Sequence, residues 1–184
     1  MTYKEWFDEL GEKTVSIEKQ CFTNENFSSN ILEKTILVNN KVIDVFSTTL
    51  MYNDFTMILV LNNDIDYSLL TRERHTKHEL ILERLAYFEY YTSTSDWKPD
   101  YGLMFERILD GYIFRTDIIN IAYLPLESFF PTQIGNKDLF KVLLCIPLSD
   151  NECDYLRKFG QEKLIQKLKE CKADIFDLFR DSCI

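Results

Sequence analysis

The densest apolar stretch of the chain, Leu139 to Leu148, is too short to cross a bilayer and has the length of a fully buried strand. Pro147 is expected to stop it, which makes Leu139 to Ile146 a central strand. Ser149 and Glu152 then form a capping box: the serine hydroxyl accepts an amide of the first turn, and the glutamate returns a bond to the cap's own amide. The spacing predicts a helix to Phe159, closed by Gly160 in a left-handed conformation. A second helix is predicted over Gln161 to Phe179. Its stripe of Leu164, Ile165, Leu168, Cys171, Ile175, Phe176 and Phe179 keeps a 3.6-residue period and must dock on something.

The same reading applied from the N terminus finds a second capping box, Thr2 with Glu5, before Trp6, Phe7 and Leu10 at helical spacing. Val15 to Phe22 alternates weakly, as an edge strand does, and Thr23 to Asn30 reads as a polar loop. Ile36 to Val38 and Val42 to Thr49 are β-branched runs about Asn39-Asn40, a hairpin signal because Asn tolerates positive φ. A second hairpin is predicted at Tyr52-Asn53-Asp54, leading into a strand Phe55 to Leu61 that Asn62 to Asp66 closes with turn chemistry. Thr76 with Glu79 caps a largely buried helix carrying Leu80, Leu82, Leu85, Ala86 and Phe88. Thr92 to Asp100 is read as a loop holding Trp97 and Pro99, Tyr112 to Leu124 as a long β-rich run, and Glu127 to Asn136 as the connection to the central strand. The pattern is α+β: a mixed or antiparallel sheet with helices packed against it.

Several of these pieces fall in a meaningful order. Glu79-Leu80 to Phe88, then Asp96-Trp97 and Tyr101-Gly102, then the apolar strand, Pro147-Leu148, Glu152, Gly160 and the Leu-rich helix resemble the middle and C-terminal blocks of Suppressor of fused domain proteins. The resemblance runs over residues 75–170 and more loosely over 31–70, while residues 1–30 match the pattern poorly. It implies a single domain over residues 1–184 with a Suppressor of fused-like α+β fold.

Composition changes the picture in two respects. Five glycines and four prolines in 184 residues leave little room for linkers, and 46% hydrophobic residues supply ample core material. The formal charge of −9 disfavours nucleic acid and anionic membrane as direct partners. Residues 149–184 hold eight acidic and seven basic side chains, so nearly all of the deficit lies upstream. Val42 to Thr71 carries Asp44, Asp54, Asp64 and Asp66 with no Lys or Arg, which places the expected negative field on the sheet region. Lys4, Glu5, Asp8 and Glu9 interrupt any apolar leader, so a cytoplasmic location is expected. The five scattered cysteines (Cys21, Cys145, Cys153, Cys171, Cys183) fit reduced thiols better than disulfides, with Cys145 and Cys171 expected in the core.

Candidate chemistry is thin. His75 and His78 are the only histidines and lack further local ligands beyond Glu73 or Glu79, so they are read as surface residues beside Arg72, Arg74 and Lys77 and no metal or cofactor is expected. No cysteine has an activating motif, and no glycine-rich loop cradles phosphate. The aromatic set Tyr87, Phe88, Tyr90, Tyr91, Trp97 and Tyr101 reads as core and rim of core, or as interface anchors, because Tyr and Trp bury much area for little entropy.

Proteins of the family resembled act by binding other proteins, some by sequestering a transcription factor, and many bacterial relatives look like immunity proteins encoded beside polymorphic toxins. The resemblance therefore implies a non-enzymatic, cytoplasmic protein-binding domain, monomeric or homodimeric, that neutralises a basic toxin such as a nuclease. A regulatory interaction module is the alternative and a Cys or His enzyme the third reading. The binding residues expected are Asp54, Asp64 and Asp66 in the acidic turns and Tyr91, Trp97 and Tyr101 in the aromatic set.

Overall fold

A computed structural model describes residues 2–10, 17–24, 27–38, 40–48, 55–64, 77–110, 116–130 and 141–184. Within them the chain forms helix α1 (Tyr3–Asp8), strands β1 (Ile17–Asn24), β2 (Phe27–Val38), β3 (Lys41–Thr48) and β4 (Phe55–Asn62), and helix α2 (Lys77–Thr94). A short β5 (Met104–Phe105) and β6 (Ile118–Pro125) come next, then β7 (Lys141–Ser149), α3 (Asp150–Phe159) and α4 (Gln161–Glu170). The strands make one seven-stranded sheet in the order β1-β2-β3-β4-β7-β6-β5. All pairings are antiparallel except β4 with β7, so the sheet is mixed.

Strand alternation divides the core. Ile58 and Val60 of β4 and Leu144, Ile146 and Leu148 of β7 face α1, α3 and α4, where they meet Trp6, Phe7, Cys153, Leu156, Leu164 and Leu168. Met57, Leu59, Leu61, Leu143 and Cys145 face the other way, against Ile81, Leu85 and Phe88 of α2. Each fully buried Leu or Phe here contributes about 1.5–3 kcal/mol, and with both faces covered the interior strands have no reason to alternate with polar residues.

Several expectations hold in detail. Both capping boxes form: Thr2 Oγ1 accepts from Glu5 at 3.3 Å, and Ser149 Oγ accepts from Glu152 at 3.3 Å while Glu152 Oε2 accepts from the Ser149 amide at 3.0 Å. Asn40 sits at φ 66 in the β2–β3 turn. Gly160 has φ 82 with ψ 171, a conformation open to glycine, and serves both as the end of α3 and as the cap of α4. The turn expected at Tyr52-Asn53-Asp54, the Thr76 cap, His75 and the connection through Gly135 lie outside the described residues.

Others are corrected. β7 continues through Pro147 to Ser149. Its ladder with β4 ends at Leu59–Cys145, and the Pro147 carbonyl accepts from Arg180 Nη2 at 2.9 Å, so the proline stands where no ladder bond is lost. The expected loop Thr23 to Asn30 contains the start of β2 at Phe27, and the expected loop from Thr92 begins later because α2 runs to Thr94. In the predicted β-rich run Tyr112 to Leu124, the described strand starts at Ile118.

The largest correction is α4, which ends at Glu170 instead of running to Phe179. Lys172 turns to φ 54 and the Ala173 amide bonds back to Leu168 at 3.0 Å. Beyond this turn the chain is held by β4: the Asn62 amide donates to Phe176 at 2.9 Å, and Asn62 Nδ2 donates to Asp174 at 3.0 Å, with Lys41 on the same carboxylate. Tertiary bonds to the end of the sheet replace the bonds a longer helix would have made. The tail therefore buries Ile175 on the α4 side and Leu178 on the α2 side, while Phe179 and Cys171 are exposed.

Candidate protein-binding face

Helix α2 places Tyr87 and Tyr91 one turn apart, their rings stacked at 6.4 Å. Its last turn is closed by side chains: Thr92 Oγ1 donates to Phe88 at 3.0 Å and Thr94 Oγ1 to Tyr90 at 2.9 Å. Lys98 then folds back onto the carbonyls of Thr92 and Ser95, a cation set at the negative end of the helix. That reversal lays Trp97 against Tyr91 at 5.8 Å, edge to face, and against Tyr123 of β6 at 6.0 Å.

The return segment is fixed by the sheet. Gly102, at φ 79, donates to the Tyr123 carbonyl at 2.8 Å, and the Tyr123 amide donates to Leu103 at 3.0 Å, which extends the pairing of β5 with β6. Phe105 becomes the hub, with ring contacts to Phe88 at 5.5 Å, Tyr91 at 5.2 Å and Trp97 at 5.6 Å in edge-to-face geometry. Leu103, two residues before Phe105 and so on the same face of the extended segment, is 42% exposed, and Tyr87 is 36% exposed. Tyr101 donates from its hydroxyl to the Val142 carbonyl at 3.3 Å.

Charges of both signs border this cluster: the Arg84 guanidinium lies over the Tyr87 ring at 5.8 Å, and Arg107 is exposed two residues after Phe105. Asp96, Asp100 and Glu127 are exposed. Burial pushes the Tyr101 hydroxyl pKa up, and the charges of Glu127 and Asp100 push it further. The face offers aromatic area to a partner's apolar groups and carboxylates to its cations. Activated nucleophiles are not what the buried thiols supply: burial drives Cys145 far up and Cys153 up to about 12. Among the described residues there is no group of three or more His, Cys, Asp or Glu placed to hold a metal, and no helix is long and apolar enough to cross a membrane.

Of the six residues expected from sequence, Tyr91, Trp97 and Tyr101 come together here. Asp64 does not. It is exposed after the C-terminal end of β4, where with Asn40, Lys41, Val42, Asn62 and Asn63 it lines a cleft of about 360 Å³. Tyr101 reaches the opposite end of the sheet, at the start of β7, which runs parallel to β4. Asp54 and Asp66 lie outside the described residues. Asp44, counted in the acidic field, is 2% exposed and accepts from Thr35 Oγ1 at 2.7 Å and Asn63 Nδ2 at 2.9 Å, so it serves the β2–β3–β4 packing. Phe105, Leu103 and Glu127 were not singled out by sequence. An aromatic at apolar alternation after Tyr101-Gly102, with Leu103 and Phe105 two apart, was the available signal for Phe105.

No family model matches the chain. It is 28% identical over 87 residues to Immunity protein YqcF of Bacillus subtilis (strain 168), a match covering 45% of this chain and 45% of that relative's length. A homologue of Suppressor of fused from Neisseria gonorrhoeae FA 1090 superposes with a TM-score of 0.65 at 11% identity, over 98% of this chain and 92% of the other. The crystal structure of the Sufu–Fu complex superposes with a TM-score of 0.69 at 9% identity, over 98% and 90%. The fold is thus that of Suppressor of fused-like proteins.

Proposed function

We propose that this small domain with the Suppressor of fused fold is a non-enzymatic binding protein of the immunity type, which covers the working surface of a basic protein toxin. The observation that carries the reading is the half-buried aromatic cluster about Phe105, with Tyr87 and Leu103 exposed at its surface and the exposed carboxylates of Asp96, Asp100 and Glu127 near it. Aromatic anchors inside a polar rim are how protein interfaces concentrate their binding energy, and carboxylates near such anchors speed encounter with a basic partner. The similarity to Immunity protein YqcF supports the immunity role, and the fold shared with a structure solved as a complex supports a protein partner. A regulatory interaction module would use the same face.

The test is co-expression. Each protein encoded beside this chain's gene is produced in cells with and without it, and scored for toxicity. One that is toxic alone, harmless with this chain and co-purified with it is the expected result. If every neighbour is harmless alone, or toxicity persists while the two proteins bind, the immunity reading fails.

A further inference from the structure

The tail beyond α4 brings two cysteines together that lie twelve positions apart in sequence. Cys171 caps the C-terminal end of α4 with its side chain exposed, and its Sγ donates to the Cys183 carbonyl at 3.6 Å. Cys183 is half-buried, and its backbone carbonyl lies beside the exposed Cys171 thiol. The tail is held in place around this contact. The Cys183 amide donates to Glu152 Oε1 at 3.0 Å, Ser182 Oγ meets Ser149 Oγ at 2.8 Å, and Arg180 is bound to both oxygens of Glu152. The Cys183 backbone is therefore held beside Cys171 by groups other than the two thiols. By contrast Cys145 and Cys153 are buried within the sheet and α3.

We propose that Cys171 and Cys183 form an oxidation site in which hydrogen peroxide or a small-molecule disulfide converts the pair to an intramolecular disulfide that staples the tail to α4. With peroxide, the Cys171 sulfur attacks one oxygen, the O–O bond breaks, and a sulfenic acid forms with release of one water. The Cys183 sulfur then attacks the Cys171 sulfur, the S–O bond breaks, and the hydroxyl leaves as a second water carrying the Cys183 proton. Two thiols lose two electrons and the peroxide gains them. Cys171 acts first because it is exposed. Burial, and then the neighbouring Cys171 thiol, push the Cys183 pKa up to about 11, which fits it for the slower resolving step. The product closes the short loop that the tail already makes and leaves the Phe105 cluster untouched, so this site stands apart from the partner-binding reading.

The intact, reduced protein is treated with a small excess of hydrogen peroxide, and its mass and tryptic peptides are measured. The expected result is loss of two hydrogens in the monomer, two fewer titratable thiols than the original five, and a peptide pair joining Cys171 to Cys183 that dithiothreitol separates. In Cys183→Ser, dimedone should trap a sulfenic acid at Cys171. A disulfide between other cysteines, a link between two chains through Cys171, or no oxidation at Cys171 in either protein would overturn the proposal.

Discussion

Replacing Arg180 with alanine is expected to cost about 3–5 kcal/mol of folding stability, because it strands a buried carboxylate. Glu152 is 0% and Arg180 5% exposed at the side chain, with Nη1 on Oε1 at 2.7 Å and Nη2 on Oε2 at 2.8 Å. The same carboxylate accepts from the Ser149 and Cys183 amides at 3.0 Å, so it joins the α3 cap, β7 and the C-terminal tail. Burial by itself raises the Glu152 pKa, yet the bonds and charge of Arg180 and the two amides together hold it below the ordinary carboxylate value. A lowered folded-state pKa gives stability that is present above the unfolded value of about 4.3 and lost as the pH falls through the folded one. Without Arg180 the burial effect dominates and the sign reverses. The deficit of Arg180→Ala should be largest near neutral pH and shrink on acidification, and Glu152→Gln in the same chain should recover part of it. Urea unfolding of the three proteins across that range checks this. A neutral-pH loss under about 1 kcal/mol, the level of an exposed pair, would contradict a buried clamp.

Leu168→Ala should cost about 2–5 kcal/mol, since it empties a site that is 1% exposed at the junction of α4 with the sheet. The same change at Ile165, half-buried on the flank of α4, should cost clearly less. Thermal or denaturant unfolding of the two variants separates them. Equal losses would mean that α4 docks by a different face from the one carrying Leu164 and Leu168.

The elements most legible in sequence were those fixed by neighbours in the chain. Ser149 with Glu152, Thr2 with Glu5 and Gly160 act within one helical turn, and Asn40 within a hairpin, so their types announce their roles. The end of α4 was not legible, because a 3.6-residue stripe through Ile175 and Phe176 looks the same whether a helix or a tail bonded to Asn62 carries it. Arg180 finds its partner 28 residues away and the site has no local signature. The candidate face divides in the same way. Tyr91 and Trp97 were legible because they flank the end of α2, whereas Phe105 becomes their hub only when β5 pairs with β6. Asp64 looked equivalent to any other uncompensated acid, and only the parallel register of β4 with β7 shows that it follows the strand end away from the Tyr101 contact at Val142.

The claim that this protein works by binding through the Phe105 cluster is tested most directly by equilibrium affinity for the partner found by co-expression. Three proteins are compared at two salt concentrations: the wild type, a Tyr87→Ala/Leu103→Ser variant and an Asp64→Asn variant, each first shown to be folded by its unfolding transition. The double variant is expected to lose at least about 2 kcal/mol, roughly thirtyfold in affinity, as removal of central anchors does. Asp64→Asn should bind as the wild type does, and raising the salt should weaken the binding of all three by screening the carboxylates of Asp96, Asp100 and Glu127. A folded double variant that binds with unchanged affinity, or a larger loss in Asp64→Asn, would contradict the account and move the interface away from the Phe105 cluster.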